Sequence, residues 1–126
     1  MSQLVAHARA MVERSTRETV SAWPRAAALL ARQHLEGALA GYWTGREPEL
    51  AGMNMRVQLA CLRVYAREPS LSAGVAWTWH ELSRATHHHP YELDPTREEL
   101  SSLIDETERL ASRLSDPSPA ERPHER

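Results

Sequence analysis

The sequence predicts an all-α fold: a bundle of four to five helices followed by a disordered C-terminal tail. Two observations carry this. Apolar residues recur at the helical period of about 3.6 along nearly the whole chain, and no stretch alternates apolar and polar as a half-buried strand would. Proline and glycine then punctuate the chain at intervals suited to helix–helix connections. The length of 126 residues suits one domain with a single core. That domain is expected over 1–114. Residues 115–126, "SDPSPAERPHER", are proline-rich and charged with nothing to bury, so they read as the disordered tail.

Each element has its own justification. Leu4, Val5, Ala8, Met11 and Val12 make one face of a first helix, expected over 3–19. "AWPRAAALLARQHLEGALAGYW" is rich in the strongest helix formers and carries Pro24 where a first turn accepts it, which predicts a second helix over 23–43. His34 lies in its apolar stripe and reads as a satisfied interior histidine. "TGREPEL", with Gly45 and Pro48, breaks that helix. A third is expected over 49–66, with Leu50, Met53, Val57, Ala60, Cys61 and Val64 as its buried stripe.

A fourth follows "REPSLS" over 70–88, with Ser70 or Ser72 as cap. Trp77 and Trp79 are two apart on it, so they face different ways; core or dimer packing is expected for both. Pro90 ends or kinks this helix. "ELDPTREEL" restarts the chain: Asp94 or Thr96 caps, Pro95 fits a first turn, and Glu98 and Glu99 suit the positive end of the dipole. The fifth helix, over 95–114, has the cleanest seam, formed by Leu100, Leu103, Ile104, Thr107, Leu110, Ala111 and Leu114.

Composition narrows the function classes. The formal net charge of −2 leaves no global basic field, so any nucleic-acid contact has to be local. The single cysteine, Cys61, excludes an internal disulfide framework and a zinc-finger spacing, and reads as a buried thiol. No apolar run approaches the ~20 residues of a membrane span, and the first residues lack the apolar core of a signal peptide. A soluble, cytoplasmic protein without membrane association is expected. All fifteen basic residues are arginine, and lysine and phenylalanine are absent, which points to a GC-rich bacterial coding sequence.

One stretch stands apart: "SRATHHHPYEL", residues 83–93. His80, His87, His88 and His89 supply imidazoles, but adjacent helical residues point about 100° apart and the spacing matches no HExxH or His-x3-His pair. No metal ligand set and no cofactor is therefore assigned, with a His-rich metal-binding protein kept as the least favoured reading. Nucleophile elbows and glycine-rich phosphate loops are absent. The remaining constellation is Arg84 with His89 and Tyr91, supported by His80, His87 and His88. An arginine holds phosphate with a fork of donors, and a histidine moves protons near neutral pH. Together they suffice for metal-free RNA cleavage, in which the 2′-hydroxyl attacks its own phosphate and the leaving 5′-oxygen is protonated.

Arg84 to Tyr91 also resembles the Arg-x4-His-x-Tyr motif of HEPN-domain ribonucleases, most closely the toxins paired with nucleotidyltransferase antitoxins. The tyrosine carries the specificity: at this composition the three-residue pattern is expected about 0.02 times by chance. Ala85 stands where the family usually has a polar residue. The resemblance implies a small helical bundle that forms a homodimer, with two motifs facing each other across a cleft. It implies Arg84 and His89 as catalytic residues, Tyr91 beside them as the residue a nucleotidyltransferase antitoxin can modify, and RNA as substrate. The alternative is a non-catalytic helical module that binds RNA or protein, with 84–91 a polar helix junction in which Arg84 pairs with Glu81 or Glu92.

Overall fold

Trp23–Thr44, dense in alanine and leucine, forms the longest helix and the axis of the bundle. The computed structural model describes residues 3–13, 23–87 and 93–116. Their helices are α1 (Gln3–Glu13), α2 (Trp23–Thr44), α3 (Met55–Tyr65), α4 (Pro69–Thr86) and α5 (Arg97–Ser115), with a 3-10 turn at Pro48–Gly52. No strand occurs among the described residues, so the all-α bundle is confirmed. The expected tail beyond residue 116, and the continuation of the first helix to residue 19, lie outside them.

Helix α2 packs against α1, α4 and α5. Its contact face is small: Ala27, Ala28 and Ala31 are fully buried, and Leu35 and Leu39 extend the stripe. Short side chains let three neighbours approach one axis without leaving voids. Val5, Ala8 and Val12 come in from α1, and Leu71, Val75 and Leu82 from α4. All seven expected seam residues of α5 are buried. Thr107, fully buried among them, satisfies its hydroxyl by donating to the Leu103 carbonyl at 2.8 Å. Salt bridges tie α1 to α5, where Arg9 reaches Asp105 at 2.8 Å and also Glu108.

The third element differs from the expected continuous helix. A 3-10 turn ends at Gly52, and α3 starts afresh with the Asn54 side chain accepting from the Val57 amide at 3.0 Å. The break separates Leu50 and Met53 from α3, and on α3 itself the bundle covers the side opposite Val57, Ala60, Cys61 and Val64. Leu59, Leu62 and Gln58 are buried, whereas Val64 is 72% exposed and Met53 48%, so the stripe read through the break does not exist. Cys61, on the same side of α3 as Val64, is only half-buried.

Caps place the other boundaries. Helix α4 begins at Pro69 with Glu68 at the cap position, not Ser70 or Ser72. Thr96 caps α5 in a capping box: its hydroxyl accepts from the Glu99 amide at 3.0 Å, and Glu99 accepts from the Thr96 amide at 2.8 Å. Pro95 therefore lies before the helix, not inside its first turn.

Trp43 is fully buried at the end of α2, edge-on to Tyr42 and to Tyr65 of α3, with ring centroids 5.0 and 5.2 Å apart. It locks the 3-10 connection onto the core. Trp43→Ala should lose about 3–5 kcal/mol in urea unfolding; a loss below about 1 kcal/mol would show the knot to be peripheral. Half-buried His34 gives a second test. Burial pushes its imidazole below the ordinary value of 6.5. The unfolded chain then binds more protons between the folded value and 6.5, so stability is full above 6.5 and falls as pH drops through that window. Melting temperature should fall as pH drops from about 7.5 to about 5.5, and His34→Gln should flatten the fall.

Candidate functional site

The site begins where α4 is oriented by α2. Trp79 donates its indole N–H to Glu36 at 2.8 Å, and Arg32 on the same helix reaches Ser83 at 3.4 Å and Glu36 at 3.5 Å. With that face held against α2, the face carrying Trp77, Glu81 and Arg84 turns away from it. The helix ends at Thr86 because His87 adopts an extended conformation (φ −98°, ψ 146°), its amide donating to the Arg84 carbonyl at 3.3 Å.

At the other end of α4, Gly74 lets α5 come close. A Cβ there would stand 3.2 Å from a Leu110 methyl. From this pinch the two helices border an open cleft of about 810 Å3 that starts at Trp77 and Glu106 and runs to the α4–α5 connection. Arg84 and His87 line it on one side, and Leu93, Asp94, Glu98 and Glu99 on the other. Trp77 is 59% exposed, and Leu93, at 97%, is almost wholly exposed. Of the core or dimer packing expected of both tryptophans, core packing does not hold for Trp77, whereas Trp79 is engaged with the bundle.

The sequence-derived site residues fare unequally. Arg84 sits in the last turn of α4 with an exposed side chain, 3.5 Å from Glu81 one turn earlier. His87 shares the cleft with it. His80 is exposed but stands to one side, its ring edge-on to Trp79 with centroids 5.2 Å apart, and does not line the cleft. His88, His89 and Tyr91 lie outside the described residues. His87 and Leu93, which bracket that segment in sequence, both line the cleft. Among the described residues no three histidine, cysteine or acidic side chains are grouped to hold a metal ion. No helix is long and apolar enough to cross a membrane among them.

What sequence reasoning missed is the cleft's charge. Five carboxylates line it: Glu81, Asp94, Glu98, Glu99 and Glu106. Arg84 offsets Glu81. Arg109 donates to Glu106 through Nε, at 3.1 Å, and through Nη2, and these hydrogen bonds hold that carboxyl below the usual carboxylate range. Asp94, Glu98 and Glu99 remain. In sequence they read as capping and dipole residues; Glu98 and Glu99 do lie in the first turn of α5, while Thr96 and not Asp94 is the cap. Only the fold sets them opposite Glu81.

Comparison with known protein families, curated proteins and solved structures finds no match for this chain. The geometry therefore has to be judged on its own chemistry. One check on it is direct: Trp77→Ala should change unfolding free energy by no more than about 0.5 kcal/mol, as for a surface residue. A loss on the scale expected for Trp43 would show that the cleft is closed in solution.

Proposed function

We propose that this chain is a HEPN-like, metal-independent endoribonuclease acting as the toxin of a toxin–antitoxin or defence pair in the cytoplasm. One observation carries the reading. Arg84 lines an open cleft, and so do His87 and Leu93, the residues on either side of the segment that holds His88, His89 and Tyr91. Arg84 binds the scissile phosphate through its guanidinium. His89 takes the 2′-hydroxyl proton as the 2′-oxygen attacks phosphorus, or returns a proton to the departing 5′-oxygen. His87 and His88 support the site, and Tyr91 is the point at which a nucleotidyltransferase antitoxin acts. The working form is a homodimer.

The carboxylates favour a second reading, a non-catalytic module that binds a protein partner. A phosphate about 8 Å from one carboxylate is opposed by roughly 0.5 kcal/mol in water, so three oppose it by roughly 1.5. A hydrogen bond to a charged group contributes about 1.5–3 kcal/mol. Arg84 by itself therefore does little more than offset its surroundings, and catalysis needs further cations at the site.

The purified chain should cleave RNA in the presence of EDTA. Arg84→Ala and His89→Ala should each lower the rate by about 10²–10⁴-fold with the melting temperature unchanged. His80→Ala, His87→Ala and His88→Ala should each cost less. Activity abolished by chelator would favour the metal reading of the histidine run instead. If the wild-type chain cleaves no RNA, the enzyme reading fails and the binding module takes its place.

A further inference from the structure

Arginine is the sole strong base of this chain, and its partners divide the molecule. Arg9, Arg32, Arg84, Arg109 and Arg113 each reach a carboxylate within salt-bridge distance. Arg56, Arg63 and Arg67, consecutive arginines along the chain, reach none among the described residues.

These three gather on α3 and its end. Arg56 and Arg63 are seven residues apart, so they stand about 20° apart around the helix axis and about 10.5 Å along it. Exposed Ala60 lies between them, and exposed Arg67 follows directly on the C-cap, Ala66. The helix contains no acidic residue. Of the flanking acids, Glu47 accepts from the Tyr65 hydroxyl, Glu49 lies in the 3-10 turn, and Glu68 is engaged by Arg113. The helix dipole does not account for the row. Arg63 suits the negative C-terminal end of α3, but Arg56 stands in the first turn, at the positive end.

Gln58, Leu59 and Leu62 bury the other side of α3, so the row faces outward. Its chemistry fits an anionic ligand. The apolar area exposed with it comes from Ala60 and Val64, too little for the apolar centre of a protein interface. Nucleic-acid contacts are more polar and more positively charged, and phosphate oxygens accept the arginine fork in pairs. The α4–α5 cleft adds a need for such a surface. Asp94 and Glu98 oppose phosphate there, so a strand that reaches Arg84 has to gain its affinity elsewhere.

We infer that the outward face of α3, with Arg56, Arg63 and Arg67, binds the phosphate backbone of single-stranded RNA at a site separate from the cleft. The choice of RNA over another polyanion rests on the ribonuclease reading; the cationic row does not. A chain of net charge −2 can hold nucleic acid only through a local basic field, and α3 supplies one. Phosphate contacts carry no base information, so the binding is independent of sequence.

Fluorescence anisotropy of a labelled single strand of about 16 nucleotides tests it. The strand carries 2′-O-methyl groups, which leave no 2′-hydroxyl to attack, so the wild-type chain binds it without cleavage. Affinity should fall as salt is raised, with a log–log slope of about −2, from about −0.7 for each of three phosphates. The triple variant Arg56→Gln, Arg63→Gln, Arg67→Gln should bind about ten-fold or more weakly and lose most of that slope, with its circular dichroism spectrum unchanged. Arg63→Gln alone should lower the slope by about 0.7. Arg25→Gln removes the same charge from the first turn of α2 and should leave binding within about two-fold. No binding by the wild type at low salt, a triple variant that binds as the wild type does, or equal losses from Arg25→Gln and Arg63→Gln would overturn the inference. Displacement of the strand by a polyglutamate peptide at equal charge would overturn RNA as the ligand in favour of an acidic protein. Cleavage of unmodified RNA separates this site from the ribonuclease reading: the triple variant should show a raised KM with kcat unchanged. A wild type that binds as stated but cleaves nothing overturns only the ribonuclease reading. Cleavage with the same KM in the triple variant overturns only the α3 site.

Discussion

Everything in this fold is arranged around α2, a helix that packs against three others. Surrounding one helix on several sides works only if its side chains are short where neighbours meet, and Ala27, Ala28 and Ala31, all fully buried, meet that condition. The cost is that alanine buries little apolar area, so the neighbours supply the bulk. Leucine and isoleucine of α5, leucine and valine of α4, and the Trp43 knot with Tyr42 and Tyr65 fill the core. This division of labour explains why α5 has such a clean seam while α2 reads as apolar on several faces.

The same packing positions the candidate site. Trp79 and Ser83 bind α4 to α2, which fixes the rotation of α4 about its own axis. Gly74 lets α4 and α5 touch at Leu110. Beyond that contact the helices border open space, lined by charged side chains and Trp77 together with Ala85, Leu93 and Leu103. A larger residue at position 74 would push on Leu110, and the cleft would change with it. The glycine therefore matters for the site although it lies outside it.

Electrostatics supplies the tension in the functional reading. Arg84 is the kind of residue that holds phosphate, yet it stands among carboxylates that oppose one. The acidic, tryptophan-bearing cleft and the outer face of α3, with Arg56 and Arg63 exposed, lie on the same molecule. The net charge of −2 conceals the asymmetry, because opposite surfaces cancel in the sum.

The periodic parts of this protein were legible from the chain alone. The α5 seam appears residue for residue, since one uninterrupted helix with strong apolar spacing leaves no choice of face. The capping box at Thr96 and the break near Pro48 are likewise local chemistry. On α3 local reading failed: Val57, Cys61 and Val64 share one side of an unbroken helix, yet the bundle covers the side of Gln58, Leu59 and Leu62, and Val64 faces outward. The site divides in the same way. Arg84, a cation near a helix end, could be found by spacing. The carboxylates around it could not, because Glu81 and Glu98 lie seventeen positions apart on separate helices, and nothing in either segment states that they line one cleft. Sequence determined which residues are helical and which face of an unbroken helix is apolar, because those follow from contacts within a few residues. The cleft, its charge and the exposure of Trp77 were decided only by the tertiary structure, because they depend on how closely α4 can approach α5.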